Sequence, residues 1–153
     1  GSMGAEIRVR DATLQDAAAL AILAGQLGYV CTESQVREGM TTYTGDPDSR
    51  IVVVEEKGVV IAWMSLDVVR HFYVRPYVEI TGLVVDDKER RKGIGKVLVM
   101  EAERWTRELG YGSLRVRTNA KRREAQTFYE NLGLRKTKEQ FVYTKDLQQG
   151  KNG

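Results

Sequence analysis

Between Tyr77 and Leu109 the chain carries a run that few folds accommodate: a β-branched stretch, a basic turn with two glycines, and a long amphipathic pattern. Val78-Glu79-Ile80-Thr81-Gly82-Leu83-Val84-Val85 is short and rich in β-branched residues, as a buried strand requires. Ile94, Val97, Leu98, Ala102, Trp105 and Leu109 recur at three- and four-residue steps, which predicts a helix. Arg90-Arg91-Lys92-Gly93-Ile94-Gly95-Lys96 therefore joins the C-terminal end of a strand to the N-terminus of a helix. The first turn of a helix has unpaired N–H groups and the positive end of the macrodipole. Gly93 and Gly95 carry no side chain that would keep an anion from those donors, and the basic side chains add attraction. The turn reads as a seat for a pyrophosphate, with a solvated basic loop as the bland alternative. It is not a Walker loop, because Lys96 is followed by Val97 instead of Ser or Thr. It is not the dinucleotide fingerprint either, since Leu98 stands where the third glycine would fall.

The length of 153 residues favours one domain with one sizeable core, expected over residues 4–147. Gly1-Ser2-Met3 has the character of an expression scar, and residues 148–153 that of a polar tail. No N-terminal apolar region suggests a signal peptide, and the longest apolar run, Val59 to Leu66, is too short to span a bilayer. A single cysteine, Cys31, excludes an internal disulfide and points to a reducing cytoplasm. With His71 as the one histidine, no metal site is expected. The net charge of +3 comes from 24 basic and 21 acidic residues that are interspersed, unlike the continuous basic stripe of a nucleic-acid binder.

Around this centre the remaining segments fall into order. Glu6 to Arg10 alternates as a short first strand. Thr13 opens a helix through Ala17, Leu20, Leu23 and Leu27, stopping near Gly28. Thr32-Glu33-Ser34-Gln35 is a capping-box pattern for a second helix, with Val36 and Met40 on its inner side. These helices could line a substrate cleft; ordinary packing is the favoured role for Tyr29, Tyr43 and Cys31, with a place in the cleft wall as the alternative. Arg50 to Glu55 and Val59 to Val69 form a hairpin across Glu56-Lys57-Gly58. His71 to Pro76 reads as a loop. Gly110 closes the long helix, and Leu114, Val116 and Thr118 alternate as a strand with Asn119 at its end. Ala125, Phe128, Tyr129 and Leu132 share one face of a short helix closed by Gly133, and Leu134 to Lys138 with Gln140 to Asp146 read as a last pair of strands. The strand–helix–strand unit from Val78 to Thr118 should be a parallel crossover flanked by antiparallel hairpins, which makes the class α/β, or α+β in stricter terms.

Leu83-Val84-Val85, the R-x-x-G-x-G run Arg90 to Gly95, and Ala125 through Phe128-Tyr129-Glu130-Asn131-Leu132-Gly133-Leu134 together resemble the GNAT N-acetyltransferase superfamily. The resemblance covers almost the whole chain. It implies a mixed, mostly antiparallel twisted sheet, a central parallel strand pair splayed around an acetyl-CoA site, and helices on both faces. It also implies acetyl-CoA as cosubstrate without a metal, and transfer of the acetyl group to a primary amine of a small-molecule or peptide acceptor. No nucleic-acid or membrane partner is implied, and a homodimer stays open. Backbone groups of Leu83, Val84 and Val85 would pair with the pantetheine arm, while Arg90, Arg91, Lys92, Gly93, Ile94, Gly95 and Lys96 would cradle the pyrophosphate. Asn119 would contact the arm, Arg122 would lie near the phosphate end, and Ala125 and Phe128 would support the arm, core packing being the favoured role for Phe128 on its residue type. Tyr129 would face the sulfur.

The chemistry of acetyl transfer fits those residue types. A departing thiolate near pKa ~8.5 needs a proton, and a tyrosine near ~10 is mismatched by ~1.5 units, about 2 kcal/mol, which a hydrogen bond to the developing charge can offset. An acceptor amine near pKa ~10.4 is nucleophilic in roughly one molecule in a few thousand at pH 7 and needs a base or a relay. Glu79, on the central strand, is the first candidate base, with His71 second. Many relatives carry an acidic residue where Thr81 and Gly82 stand here, which is a departure. Direct attack without a covalent enzyme intermediate is expected, because nothing beside Cys31 suggests an activated thiol. A regulatory acetyl-CoA-binding module without turnover is the alternative, and a nucleic-acid binder using the basic turn is a third class, distinguished by salt-sensitive affinity.

Overall fold

The computed structural model describes residues 7–89, 93–118 and 122–148, in two compact units, Gly1–Arg117 and Thr118–Gly153. In the first unit, strands β1 (Ile7–Asp11), β2 (Ser49–Glu56), β3 (Val59–His71), β4 (Val74–Val85) and β5 (Leu114–Val116) form one five-stranded sheet in the order β1-β2-β3-β4-β5. The first four strands pair antiparallel and β4 pairs parallel with β5. Helix α1 (Ala17–Gln26) follows a 3-10 turn, Leu14–Asp16; α2 (Glu33–Thr44) precedes β2, and α3 (Ile94–Glu108) links β4 to β5.

Local chemistry explains these boundaries. The predicted capping box at the start of α2 is present: Gln35 N–H donates to Thr32 Oγ1 at 3.1 Å and Thr32 N–H donates to Gln35 Oε1 at 2.9 Å. The β2–β3 turn is Lys57-Gly58 with φ of 53° and 81°, the two left-handed residues that a tight hairpin needs. Arg10 ties β1 to the start of α1: its guanidinium grips Asp16 at 2.8 and 3.0 Å and Glu55 at 2.6 Å. That grip holds the Asp16 carboxyl below its usual range, against the opposing effect of burial.

Cross-strand partners share a face of the sheet. On one face, Ala17, Leu20 and Met40 from α1 and α2 pack on Val53, with Ile51 and Trp63 beside them. On the other, α3 lays down Ile94, Leu98, Val99, Ala102 and Trp105, all buried. Arg50 marks this second face, with its guanidinium 5.7 Å from the Trp105 ring centroid and 2.9 Å from Glu101. The helices therefore cover both faces.

Three readings are corrected. His71 to Pro76 is not a loop: His71 ends β3, Val74 to Pro76 begin β4, and Phe72-Tyr73 alone make the turn. Pro76 is tolerated because the register leaves it out of the matched pairs near a bulge between Val69 and His71. Residues 134–147 carry no strand among the described residues, and Phe141, Val142 and Tyr143 are exposed, so the expected last pair is not formed. β5 also stops at Val116, short of Thr118.

Candidate active site

A β-bulge shapes the centre of the sheet. Ser65 pairs with Gly82 but Leu66 pairs with Ile80, so Thr81 is an extra residue in β4. The bulge brings the Thr81 hydroxyl onto the face that holds Ser65 and Asp67. Thr81 Oγ1 lies 2.6 Å from Ser65 Oγ and donates to Asp67 Oδ2 at 3.3 Å. Asp67 also accepts from Tyr43 Oη at 2.6 Å and from Ser49 Oγ at 2.7 Å. Burial pushes the Tyr43 phenol up to about 12, and the Asp67 carboxylate adds to the rise, so it stays a donor at neutral pH.

Beyond the bulge, one edge of β4 is unpaired among the described residues. Its pairing with β5 covers Val78, Glu79 and Ile80 only. From Thr81 to Val85 the edge away from β3 has no strand along it among the described residues. Leu83 and Val85 pair on the other side with Met64 and Ala62. An extended amide-containing arm would fit here as an added strand, the mode in which backbone groups supply affinity. α3 begins just after. Gly93 is its N-cap with φ 79° and ψ 13°, a left-handed conformation that favours glycine, and Ile94 and Gly95 open the first turn. Ile94 is buried and anchors that turn, while Lys96 is exposed. These features suit an acyl-CoA: a free strand edge for the arm and a glycine-led helix N-terminus for phosphate. Arg90, Arg91, Lys92 and Asn119 lie outside the described residues.

Glu79 sits on β4 opposite Asp67 and accepts from Arg117 Nε at 3.2 Å. His71 lies at the other end of β4 from Leu83, against Val74, with Tyr73 and Tyr77 at ring distances of 5.4 and 6.2 Å. The structure therefore does not bring His71 to the open stretch.

In the second unit, α4 (Arg123–Asn131) follows Arg122. Ala125, Phe128 and Tyr129 are half-buried on it, and the Phe128 and Tyr129 rings meet edge to face at 5.0 Å. Gly133 closes the helix with φ 89°, and Leu134 N–H donates to Tyr129 O at 3.1 Å. Burial raises the Tyr129 phenol above its ordinary value, and the Arg122 charge opposes that rise. At neutral pH it is a phenol, able to donate a proton.

On the α1–α2 face, a cleft of about 340 Å³ opens between the helices and the sheet, with Leu20, Tyr29, Val36, Met40, Tyr43, Ile51, Trp63 and Ser65 in its walls. Tyr29 and Tyr43 line the cleft, although the sequence favours ordinary packing for them; Cys31 does not line it. The sequence reading missed Asp67, Ser65 and Trp63. Their signal was the alternation Trp63-x-Ser65-x-Asp67 within an apolar strand, which puts two polar residues on one face. No group of three or more His, Cys, Asp or Glu residues that would hold a metal occurs among the described residues, and no helix there is long and apolar enough to cross a membrane.

A profile of the acetyltransferase (GNAT) family matches residues 17–134. Among characterised proteins, the aminoalkylphosphonate N-acetyltransferase of Salmonella typhimurium is 31% identical over 112 residues, covering 72% of this chain and 71% of its own. Among solved structures, glucosamine-6-phosphate N-acetyltransferase from Arabidopsis thaliana is similar with a TM-score of 0.79 at 23% identity, over 92% of this chain and 99% of its own. An aminoglycoside N-acetyltransferase in complex with CoA gives a TM-score of 0.81 at 20% identity, over 91% of this chain and 94% of its own.

Proposed function

The chain belongs to the GNAT acetyltransferase family and is an N-acetyltransferase; from that premise we propose that it moves the acetyl group of acetyl-CoA to a primary amine held in the α1–α2 cleft, by direct attack. The observation that carries the reading is the open edge of β4 from Thr81 to Val85, next to a glycine-capped helix N-terminus. Leu83, Val84 and Val85 would bind the pantetheine arm through backbone groups, aided by Asn119, Ala125 and Phe128. Arg90 to Lys96, with Arg122, would hold the phosphates. A backbone N–H near Leu83 would stabilise the developing oxyanion of the acetyl carbonyl.

Tyr129 is the proposed general acid for the departing thiolate. Its raised pKa widens the mismatch with a thiol and keeps the proton on the phenol until negative charge develops on sulfur. For the proton lost by the amine, Glu79 is the base proposed from the strand position. A second route is favoured by the hydrogen-bond chain: Ser65 at the cleft wall, then Thr81, then the Asp67 carboxylate. The amine proton would pass to Ser65 Oγ, the Ser65 proton to Thr81, and the Thr81 proton to Asp67. The single cysteine fits a cytoplasmic setting.

The direct test is thermal denaturation with acetyl-CoA, followed by thiol release in the presence of amines. At a hundredfold over its dissociation constant, acetyl-CoA should stabilise the fold by about 2.7 kcal/mol. A folded protein whose melting temperature does not move in millimolar acetyl-CoA would overturn the proposal.

A further inference from the structure

The walls of the α1–α2 cleft narrow the acceptor. We infer that this N-acetyltransferase takes a primary amine carried on a compact apolar or aromatic body, with its amino end at Ser65; the inference rests on the acetyl-CoA-dependent reading above. The lining includes Val36, Met40, Ile51 and Trp63, and its hydroxyls are those of Ser65, Thr42, Tyr43 and Tyr29. No charged side chain lines it among the described residues.

A phosphonate or sugar phosphate would bring about two negative charges into such walls and would need arginine or lysine partners. Arg50, the arginine nearest in sequence to the lining residue Ile51, is held by Asp11 and Glu101. A polycationic aminoglycoside would need several carboxylates along the cleft, and Asp67 is the one reached through the lining hydroxyls. A single ammonium matches that arrangement. It would donate to Ser65 Oγ, with the Asp67 charge one hydroxyl further on, while the apolar body displaces water from the aromatic walls. The volume of about 340 Å³ lies at the low end of small-molecule sites, which limits the body to about one ring system. The same placement brings the nitrogen to Thr81 and Gly82, beside the open edge where the acetyl group is proposed to lie.

Gly39 supplies the test. It lies inside α2, lines the cleft, and a Cβ there meets nothing within 4 Å. Gly39→Leu therefore adds a bulky side chain at the cleft wall without a steric clash while raising helix propensity. The wild-type protein is assayed by thiol release at saturating acetyl-CoA with 2-phenylethylamine, tryptamine and hexylamine against 2-aminoethylphosphonate, glucosamine 6-phosphate and kanamycin. The arylalkyl and alkyl amines should lead in kcat/KM by about tenfold or more, and Gly39→Leu should raise their KM by about tenfold. Calorimetry on the same variant should give an unchanged Kd for acetyl-CoA. The inference is overturned if a phosphonate, sugar phosphate or aminoglycoside ranks first, if Gly39→Leu leaves the apolar-amine KM unmoved, or if no amine accelerates thiol release while acetyl-CoA binds normally. Absence of acetyl-CoA binding in wild type would instead take down the proposed function and this inference together.

Discussion

The indole of Trp63 lies across Gly82 so closely that a Cβ at residue 82 would stand 2.8 Å from Cζ3 and 3.0 Å from Cη2. The ring is held there by shape, because Nε1 is buried without a hydrogen-bond acceptor among the described residues. A side chain at residue 82, such as the acidic one the family resemblance implies there, would have to displace the Trp63 ring, because the space is taken by a cleft wall. It also moves the question of the base to the face partners of Gly82, namely Ser65, Thr81 and Asp67.

Gly82→Ala should therefore cost about 1–3 kcal/mol by overpacking against a rigid ring. In a Trp63→Leu background the same change should cost less by about 1 kcal/mol or more, since the obstructing atoms are gone. Chemical denaturation of the four proteins of this cycle gives the coupling directly. Equal losses in both backgrounds would mean that Gly82 is required by its backbone and not by Trp63.

Much of the fold was legible in the sequence because local and tertiary preferences agree there. The periodicity of α3, the Thr32–Gln35 box and the Lys57-Gly58 turn each have one dominant solution. The stretch Leu134 to Asp146 was misjudged because alternation signals a face to bury, while pairing depends on a partner edge that alternation does not specify. Arg75-Pro76 was misread as a breaker, although proline is admissible where a ladder is irregular. At the site, the strand edge and the glycine turn were visible as motifs. The Asp67 network was not, because it depends on a one-residue bulge at Thr81 that turns a side chain to another face, and no sequence pattern announces that bulge.

Tyr43 makes stability sensitive to alkali. Its folded phenol is pushed up to about 12, against an ordinary value of 10.0, mainly by burial and then by its hydrogen bond to Asp67. Above pH ~10 the unfolded chain releases this proton while the folded chain keeps it, so the unfolded state binds fewer protons and stability falls as pH rises toward 12. Tyr43→Phe removes that titration. Denaturation from pH 8 to 11 should show a shallower loss in the variant, and parallel profiles would disprove a folded-state shift at this residue.

Tyr129→Phe keeps the ring and its edge-to-face contact with Phe128 but removes the proton. If the phenol protonates the departing thiolate, single-turnover acetyl transfer should fall by about 10²–10⁴-fold. The affinity for acetyl-CoA should change little, because the hydroxyl is assigned to the chemical step. Single-turnover rates measured by rapid quench avoid masking by product release. Wild-type rates in a correctly folded variant would end the general-acid assignment and leave the cofactor reading intact.

Glu79 and Asp67 can be told apart by pairing mutation with acceptor basicity. Asp67→Asn keeps the size of the residue and still offers a carbonyl to Tyr43 or Ser49, but it removes the charge at the end of the Ser65–Thr81 chain. Glu79→Gln removes the charge that accepts from Arg117. If the proton leaves through the chain, Asp67→Asn should lower kcat/KM by about 10²-fold or more with an alkylamine of pKa ~10, while Glu79→Gln should cost less than about tenfold. The Asp67→Asn deficit should shrink with a fluorinated amine of pKa ~6, which is already mostly neutral at pH 7 and asks less of a base. A merely structural role for Asp67 predicts the same deficit for both amines, because a distorted cleft does not sense the acceptor pKa. The reverse ranking, with Glu79→Gln the more damaging and its deficit dependent on amine basicity, would return the role of base to Glu79 and leave Asp67 as the residue that positions Tyr43, Ser49 and Thr81 around the cleft.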